Sequence, residues 1–229
     1  HLSIRRQRQM CIRDRYLGVY DAEFPREVVS EISPRYPRQY ADIAYGATTT
    51  GDLAYLATPT PGAANAGSAA YDGFALPPEC APARGLFASP VDVTIYAGTP
   101  GATIRYTLDG SDPTPTRGTV YSSPIRIAPG GGKGAVALRA IAYRGDLLPS
   151  GVTTHTYIFP DAVLGQTNSP TGFPSTWRSQ PADYGMDPEV VNDPGHTELI
   201  RKGLVAIPTL SIVTEMGNLF DPNTGIYAN

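Results

Sequence analysis

Residues Ala102 to Pro113, ATIRYTLDGSDP, narrow the fold more than any other stretch of this chain. Ile104, Tyr106 and Leu108 alternate with Thr103, Arg105 and Thr107, which is the period of a half-buried strand. The strand then runs into Asp109-Gly110-Ser111-Asp112-Pro113, where each residue suits a turn for its own reason. Gly110 tolerates positive φ, Asp109 bonds its own downstream backbone, and Pro113 has no N–H to offer a central ladder. A strand that must reverse this sharply belongs to a hairpin-connected β fold.

The surrounding sequence repeats the pattern. Val91, Val93 and Ile95 alternate with Asp92, Thr94 and Tyr96; Pro124 to Ala128 makes a short strand; Ala135 to Tyr143 and Val152 to Phe159 follow after Gly-rich turns. Turn signals fall about every ten residues, the spacing of a small sandwich. The chain holds 23 Pro and 24 Gly, residues that helix interiors tolerate poorly, which leaves short strands joined by turns. The fold class expected is all-β: a small immunoglobulin- or fibronectin-III-like sandwich, a partial second β domain and an irregular C-terminal extension.

Six segments follow from composition and period. Residues 1–15 have no hydrophobic period and hold five of the sixteen arginines. Met10 to Asp14, MCIRD, is what a sequencing-adapter string encodes, so 1–15 are expected to be a translated artefact; a basic arm is the alternative. Residues 16–65 contain the strand fragments YLGVY, EVVSE and DIAYG, and close on the Pro-rich connector Thr58 to Asn65. Residues 66–85 are expected to be a linker in which Tyr71 and Phe74 stand isolated, and 86–159 the sandwich. In 160–203, Asp187-Pro188 and Asp193-Pro194 each offer an N-cap followed by proline, and Thr197 to Lys202 reads as a short helix stopped by Gly203. In 204–229, Leu204 to Thr214 alternates as a strand, with Pro208 marking an edge.

Three resemblances rest on these residues. IRYTLDGSDPTP, then VYSSPIRI, then ALRAIAYRGDLLPSGVTTHTYIF resembles the C-terminal domain of chitobiase and β-hexosaminidase enzymes, a fibronectin-III-like fold, over Leu86 to Phe159. Ala140 and Ala142 would then let the opposing sheet approach while Leu138 fills the layer. RQYADIAYG with LAYLATPTPGAAN is similar to the closing strands of a bacterial lamin-tail domain. With only that half present, Tyr45, Leu53, Tyr55 and Leu56 are expected to be orphaned core positions. PTLSIVT with NLFDPNTGIYAN resembles the entry to a CotH-type kinase domain, and the truncated stretch would start one. The chitobiase-type module sits apart from the catalytic barrel, so the resemblance brings no catalytic residue with it.

Charge narrows the partners. Without residues 1–15 the formal charge moves from −3 to −7, because five Arg and one Asp leave. No basic stripe and no aromatic platform among Lys and Arg remains, which argues against nucleic acid. Cys80 is then the sole cysteine, so neither a disulfide framework nor a thiol metal site is implied. No apolar run approaches a membrane span.

Each candidate chemistry has a plainer competitor. Gly130 to Gly134 superficially suggests a phosphate loop, but Ile127 holds the first Gly position of that motif and Gly134 the hydroxyl position, so a hairpin loop fits better. Asp109 and Asp112 lack the partners of a sugar-cleaving pair or a calcium shell; with Gly110 and Pro113 they are assigned as structural turn residues. His155 and His196 lack triad or metal partners. Asp183, Asp187, Asn192 and Asp193 lie near Trp177 as a loose acidic group, better explained by helix capping. Tyr96, Tyr106, Tyr143 and Trp177 are the candidate glycan contacts, because such rings offer an apolar plane with a polar tip. Tyr121 and Tyr157 share the pattern, and core packing competes with glycan stacking for all of the tyrosines.

The expectation is a structural or spacer region of a multidomain, exported bacterial surface protein, extracellular or at the cell surface, with no catalytic residue, metal or cofactor. Its partners are neighbouring domains of the same chain and, as a weaker second role, cell-wall or extracellular polysaccharide. The alternatives are the N-terminal accessory region of a secreted CotH-type kinase and, less favoured, an accessory module of a glycoside hydrolase.

Overall fold

The computed structural model describes residues 16–177 and 179–227; the artefact expected at 1–15 lies outside them. The chain divides into two compact units, His1–Gly73 and Phe74–Asn229.

In the first unit β1 (Leu17–Tyr20) pairs antiparallel with β2 (Val28–Ile32). A separate three-stranded sheet places β4 (Leu53–Leu56) between β3 (Ala44–Ala47) and β5 (Ala70–Tyr71). The orphaned core is corrected here. Tyr55 and Leu56 are buried, because Tyr45 and Tyr40 pack edge-on against Tyr55 at ring separations of 5.0 and 6.3 Å while β5 pairs alongside; Leu53 stays exposed.

The second unit is the sandwich. Its smaller sheet runs β11 (Ile125–Ile127), β8 (Val91–Tyr96) and β6 (Glu79–Ala81). The larger runs β10 (Thr119–Val120), β9 (Thr103–Thr107), β12 (Ala135–Tyr143), β13 (Thr153–Ile158) and β7 (Gly85–Leu86). All neighbours are antiparallel except β13 and β7. The stretch expected to be a linker, 66–85, thus carries β5 and β6 and the pairing end of β7.

Period two decides the core. Val93 and Ile95 from β8, Ile125 and Ile127 from β11, and Cys80 from β6 meet Ile104, Leu138, Ala140, Ala142 and Tyr157 of the larger sheet. Ala140 and Ala142 are fully buried opposite Tyr106 and Ile104, so two methyl-sized positions stand where larger side chains would push the sheets apart. Tyr157 is fully buried, and its hydroxyl donates to the Pro82 carbonyl at 2.8 Å, which removes the penalty of an unpaired polar tip. Each such large apolar side chain contributes about 1.5–3 kcal/mol by leaving water.

One alternation fails. Leu108 was expected to share the face of Ile104, but β9 ends at Thr107 and Leu108 is exposed. Thr107 is buried in its place because its hydroxyl donates to the Ser111 carbonyl at 2.6 Å, drawing the chain out of the ladder and into the turn.

Beyond the sandwich come α1 (Pro160–Leu164), the hairpin β14 (Thr176–Trp177) and β15 (Gln180–Pro181), then α2 (Pro188–Val191), α3 (Pro194–Ala206) and α4 (Met216–Phe220). The Asp caps form as expected: Asp187 accepts from the Glu189 N–H and Asp193 from the Gly195 N–H. Two elements differ. α3 continues through Gly203 to Ala206, since a mid-helix glycine costs only about 1 kcal/mol and Arg201 ties the helix to Asp161. It stops at Ile207, which precedes Pro208 and is therefore extended. The strand expected over Leu204 to Thr214 is absent: 204–206 close α3, and 207–214 join no ladder. Among the described residues no helix is long and apolar enough to cross a membrane.

Candidate functional site

The Asp109–Pro113 turn is built by its own side chains and by β12. One Asp109 carboxylate oxygen accepts from the Ser111 N–H at 3.0 Å and from the Ser111 hydroxyl at 2.6 Å. The Ser111 hydroxyl is the main reason the Asp109 carboxyl is held below its usual range, against the opposing effect of partial burial. Gly110 takes φ +84°, where a Cβ would be strained. Its carbonyl accepts from Arg139 Nη1 at 2.9 Å, and the other terminal nitrogen of Arg139 pairs with Asp112. Ser111 and Pro113 are buried. Asp109 is thereby committed to Ser111 and Asp112 to Arg139, so the two carboxylates face neither each other nor a common cavity.

Opposite this turn stands a residue that local sequence gave no means of finding. Glu215, 103 positions on, accepts from the Asp112 N–H at 2.7 Å. The same oxygen accepts from Arg117 Nη1 at 3.0 Å. The Asp112 N–H is the leading cause that lowers the Glu215 carboxyl below its ordinary value, with Arg117 and Arg139 adding to it. Arg139 did carry a signal: it is the one charge inside the otherwise apolar run AVALRAIAY.

The four aromatic candidates are not brought onto one face. Tyr96, at the outward end of β8, is 56 % exposed. Tyr106 points inward and packs against the core, as does Tyr121. Tyr143 lies on the other face of the larger sheet, where its hydroxyl accepts from Arg105 Nε at 3.2 Å. Trp177 is half-buried in a separate aromatic group: it stacks on Tyr227 at 5.8 Å, meets Tyr184 edge-on at 5.2 Å and donates from Nε1 to the Tyr184 hydroxyl. Tyr227 in turn stacks on Phe220 at 5.5 Å, so the ring of Trp177 is occupied from within.

A shallow cleft of about 580 Å³ lies between Leu76, Pro78, Glu79, Cys80, Thr153 and His155. His155 Nδ1 accepts from the Arg84 N–H at 2.9 Å, which puts the proton of the neutral ring on Nε2; burial lowers its pKa. Burial also pushes the Cys80 thiol up to about 11, so it is a poor nucleophile at neutral pH. The cleft's residues come from 76–80, Gly98 and 153–155, which is why no local motif announces it. His196 is a partner of Asp193 in the first turn of α3, at 3.2 Å. Among the described residues no group of three or more His, Cys, Asp or Glu is arranged to hold a metal.

Two face-to-face sheets that share one apolar core make a β-sandwich of fibronectin-III-like character. Residues 93–157, from the core of β8 to Tyr157 on β13, match the family model described as Fn3 associated. That description suits an accessory β domain and covers the turn, β9, β11 and β12 together. No curated protein and no solved structure matches the chain.

Proposed function

We propose that this region is a non-catalytic spacer of a multidomain, exported bacterial surface protein, in which the sandwich holds neighbouring domains of the same chain apart and in register. The observation that carries this reading is that the turn's acidic and carbonyl groups are already engaged inside the sandwich: Asp109, Gly110 and Asp112 are held by Ser111 and by Arg139 of β12. A catalytic or sugar-binding turn would keep such groups turned toward a ligand. Three of the four candidate aromatic rings are likewise committed to packing or hydrogen bonding, leaving Tyr96 as the one broadly exposed ring of that set. The resemblance of 86–159 to the chitobiase C-terminal domain supports the same role, because there too the module stands apart from catalysis.

The test is retention on insoluble glycans. The chain, incubated with chitin and with peptidoglycan and then pelleted, is expected to stay in the supernatant. Retention that Tyr96→Ala abolishes would replace the spacer role with polysaccharide binding.

A second reading makes the region an accessory to a secreted CotH-type kinase, favoured by the resemblance of PTLSIVT and NLFDPNTGIYAN to the entry of that domain. Sequencing the complete reading frame decides it: a lysine for nucleotide phosphates and metal-binding carboxylates should follow, and their absence would remove the kinase.

A further inference from the structure

We propose that the Asp109–Pro113 turn is a carboxylate-binding site occupied in cis by Glu215, and that this contact latches residues 207–214 onto the outer face of the larger sheet. Two donors converge on one Glu215 oxygen, the Asp112 N–H at 2.7 Å and Arg117 Nη1 at 3.0 Å. Neither is claimed by the turn's own acids, because Asp109 is held by Ser111 and Asp112 by Arg139. Beneath them the side chain of Arg139 is only 12 % exposed and its Nε is buried without a hydrogen-bond partner, so its positive charge, paired with Asp112, also acts on Glu215. The charged groups facing Glu215 are therefore Arg117 and Arg139 on one side, with Asp112 turned away into its ion pair.

Glu215 is the N-cap of α4 and makes no side-chain bond to its own helix, so its carboxylate is free to reach the turn. Upstream, Val213 and the Thr214 carbonyl lie over Gly110, each 3.7 Å from where a Cβ at that position would stand. Ser211 and Thr156 of β13 share a hydroxyl–hydroxyl hydrogen bond of 2.7 Å. On either side of Ser211, Leu210 and Ile212 face solvent, 85 and 81 % exposed. The segment is thus held through alternate side chains at two places, one a neutral contact and the other charge-assisted. The charge-assisted contact is the stronger kind, so it carries most of the hold.

Hydrogen exchange and limited proteolysis on the whole chain test the latch. Glu215→Ala is expected to speed exchange of the Asp112 amide about tenfold and to raise cleavage within 207–214 by a similar factor, with β12 amides unchanged. Glu215→Gln keeps an acceptor without charge, so its loss should be smaller, and added salt should loosen wild type but not this variant. Unchanged Asp112 exchange and cleavage in Glu215→Ala would overturn the latch. Identical salt responses of wild type and Glu215→Gln would overturn the carboxylate site. If Glu215→Ala also releases the β12 amides, Arg117→Met decides, since that side chain is 53 % exposed and carries no core packing: faster cleavage of 207–214 upholds the latch, and wild-type cleavage rejects it.

Discussion

Replacing Asp109 by Ala removes the acceptor that closes the signature turn. Two donors lose their partner at once, the Ser111 N–H at 3.0 Å and the Ser111 hydroxyl at 2.6 Å, and Ser111 is only 7 % exposed. Hydrogen bonds to a charged acceptor contribute roughly 1.5–3 kcal/mol each, but these two share one oxygen and the Asp109 side is open to water, so the loss is about 2 kcal/mol rather than the sum. For a unit the size of Phe74–Asn229 this lowers Tm by about 4–8 °C. Asp109→Asn retains the accepting oxygen in the same geometry and should cost less than about 1 kcal/mol. Scanning calorimetry on the three chains measures both. A Tm for Asp109→Ala within a degree of wild type would refute the assignment of Asp109 to the turn. An Asn variant as unstable as the Ala variant would show that charge, not the turn geometry, is what matters.

Other perturbations have equally definite outcomes. Ile127→Ala empties a position that is 1 % exposed between the sheets and should cost about 2–5 kcal/mol in urea unfolding. Tyr157→Phe removes the part-buried hydrogen bond to the exposed Pro82 carbonyl and should cost about 0.5–1.5 kcal/mol by the same measurement. Cys80, buried and with its thiol raised to about 11, should resist iodoacetamide in the folded chain and react only with unfolding. Asp109 and Glu215 both sit below their ordinary pKa, so their stabilisation is complete above the unfolded-state values and fades as pH falls through the lower folded ones. Acid titration of stability should therefore show a shallower loss in Asp109→Asn than in wild type.

The sheets were legible because period two is written in single residues: Val93 and Ile95 face in, Asp92 and Tyr96 face out, and the structure keeps that order. The close approach at Ala140 and Ala142 was legible for the same reason, since a small residue repeated along one strand face is a packing statement. Leu108 went astray because a buried hydroxyl bond from Thr107 outweighed simple alternation. The end of α3 went astray because an ion pair with Asp161 lies outside any local window. The turn's residues were visible in advance, whereas their partners Arg139 and Glu215 belong to a later strand and to a helix cap. Long-range hydrogen bonds leave no periodic trace. For the aromatic candidates, composition showed what rings were present but not that Tyr106 and Tyr143 would fall on opposite faces of one sheet.

The DGSDP turn is architecture whose partners all lie within the chain, and it needs no added ion or sugar to form. Amide exchange at Ser111 and Asp112 tests it most directly, recorded in chelator, then with calcium, then with chitin oligomers. Both amides should be protected in chelator, because Asp109 and Glu215 already accept from them, and neither addition should change their rates. Rapid exchange in chelator that slows only when the ion or the sugar is added would contradict the account and make the turn an ion or sugar site.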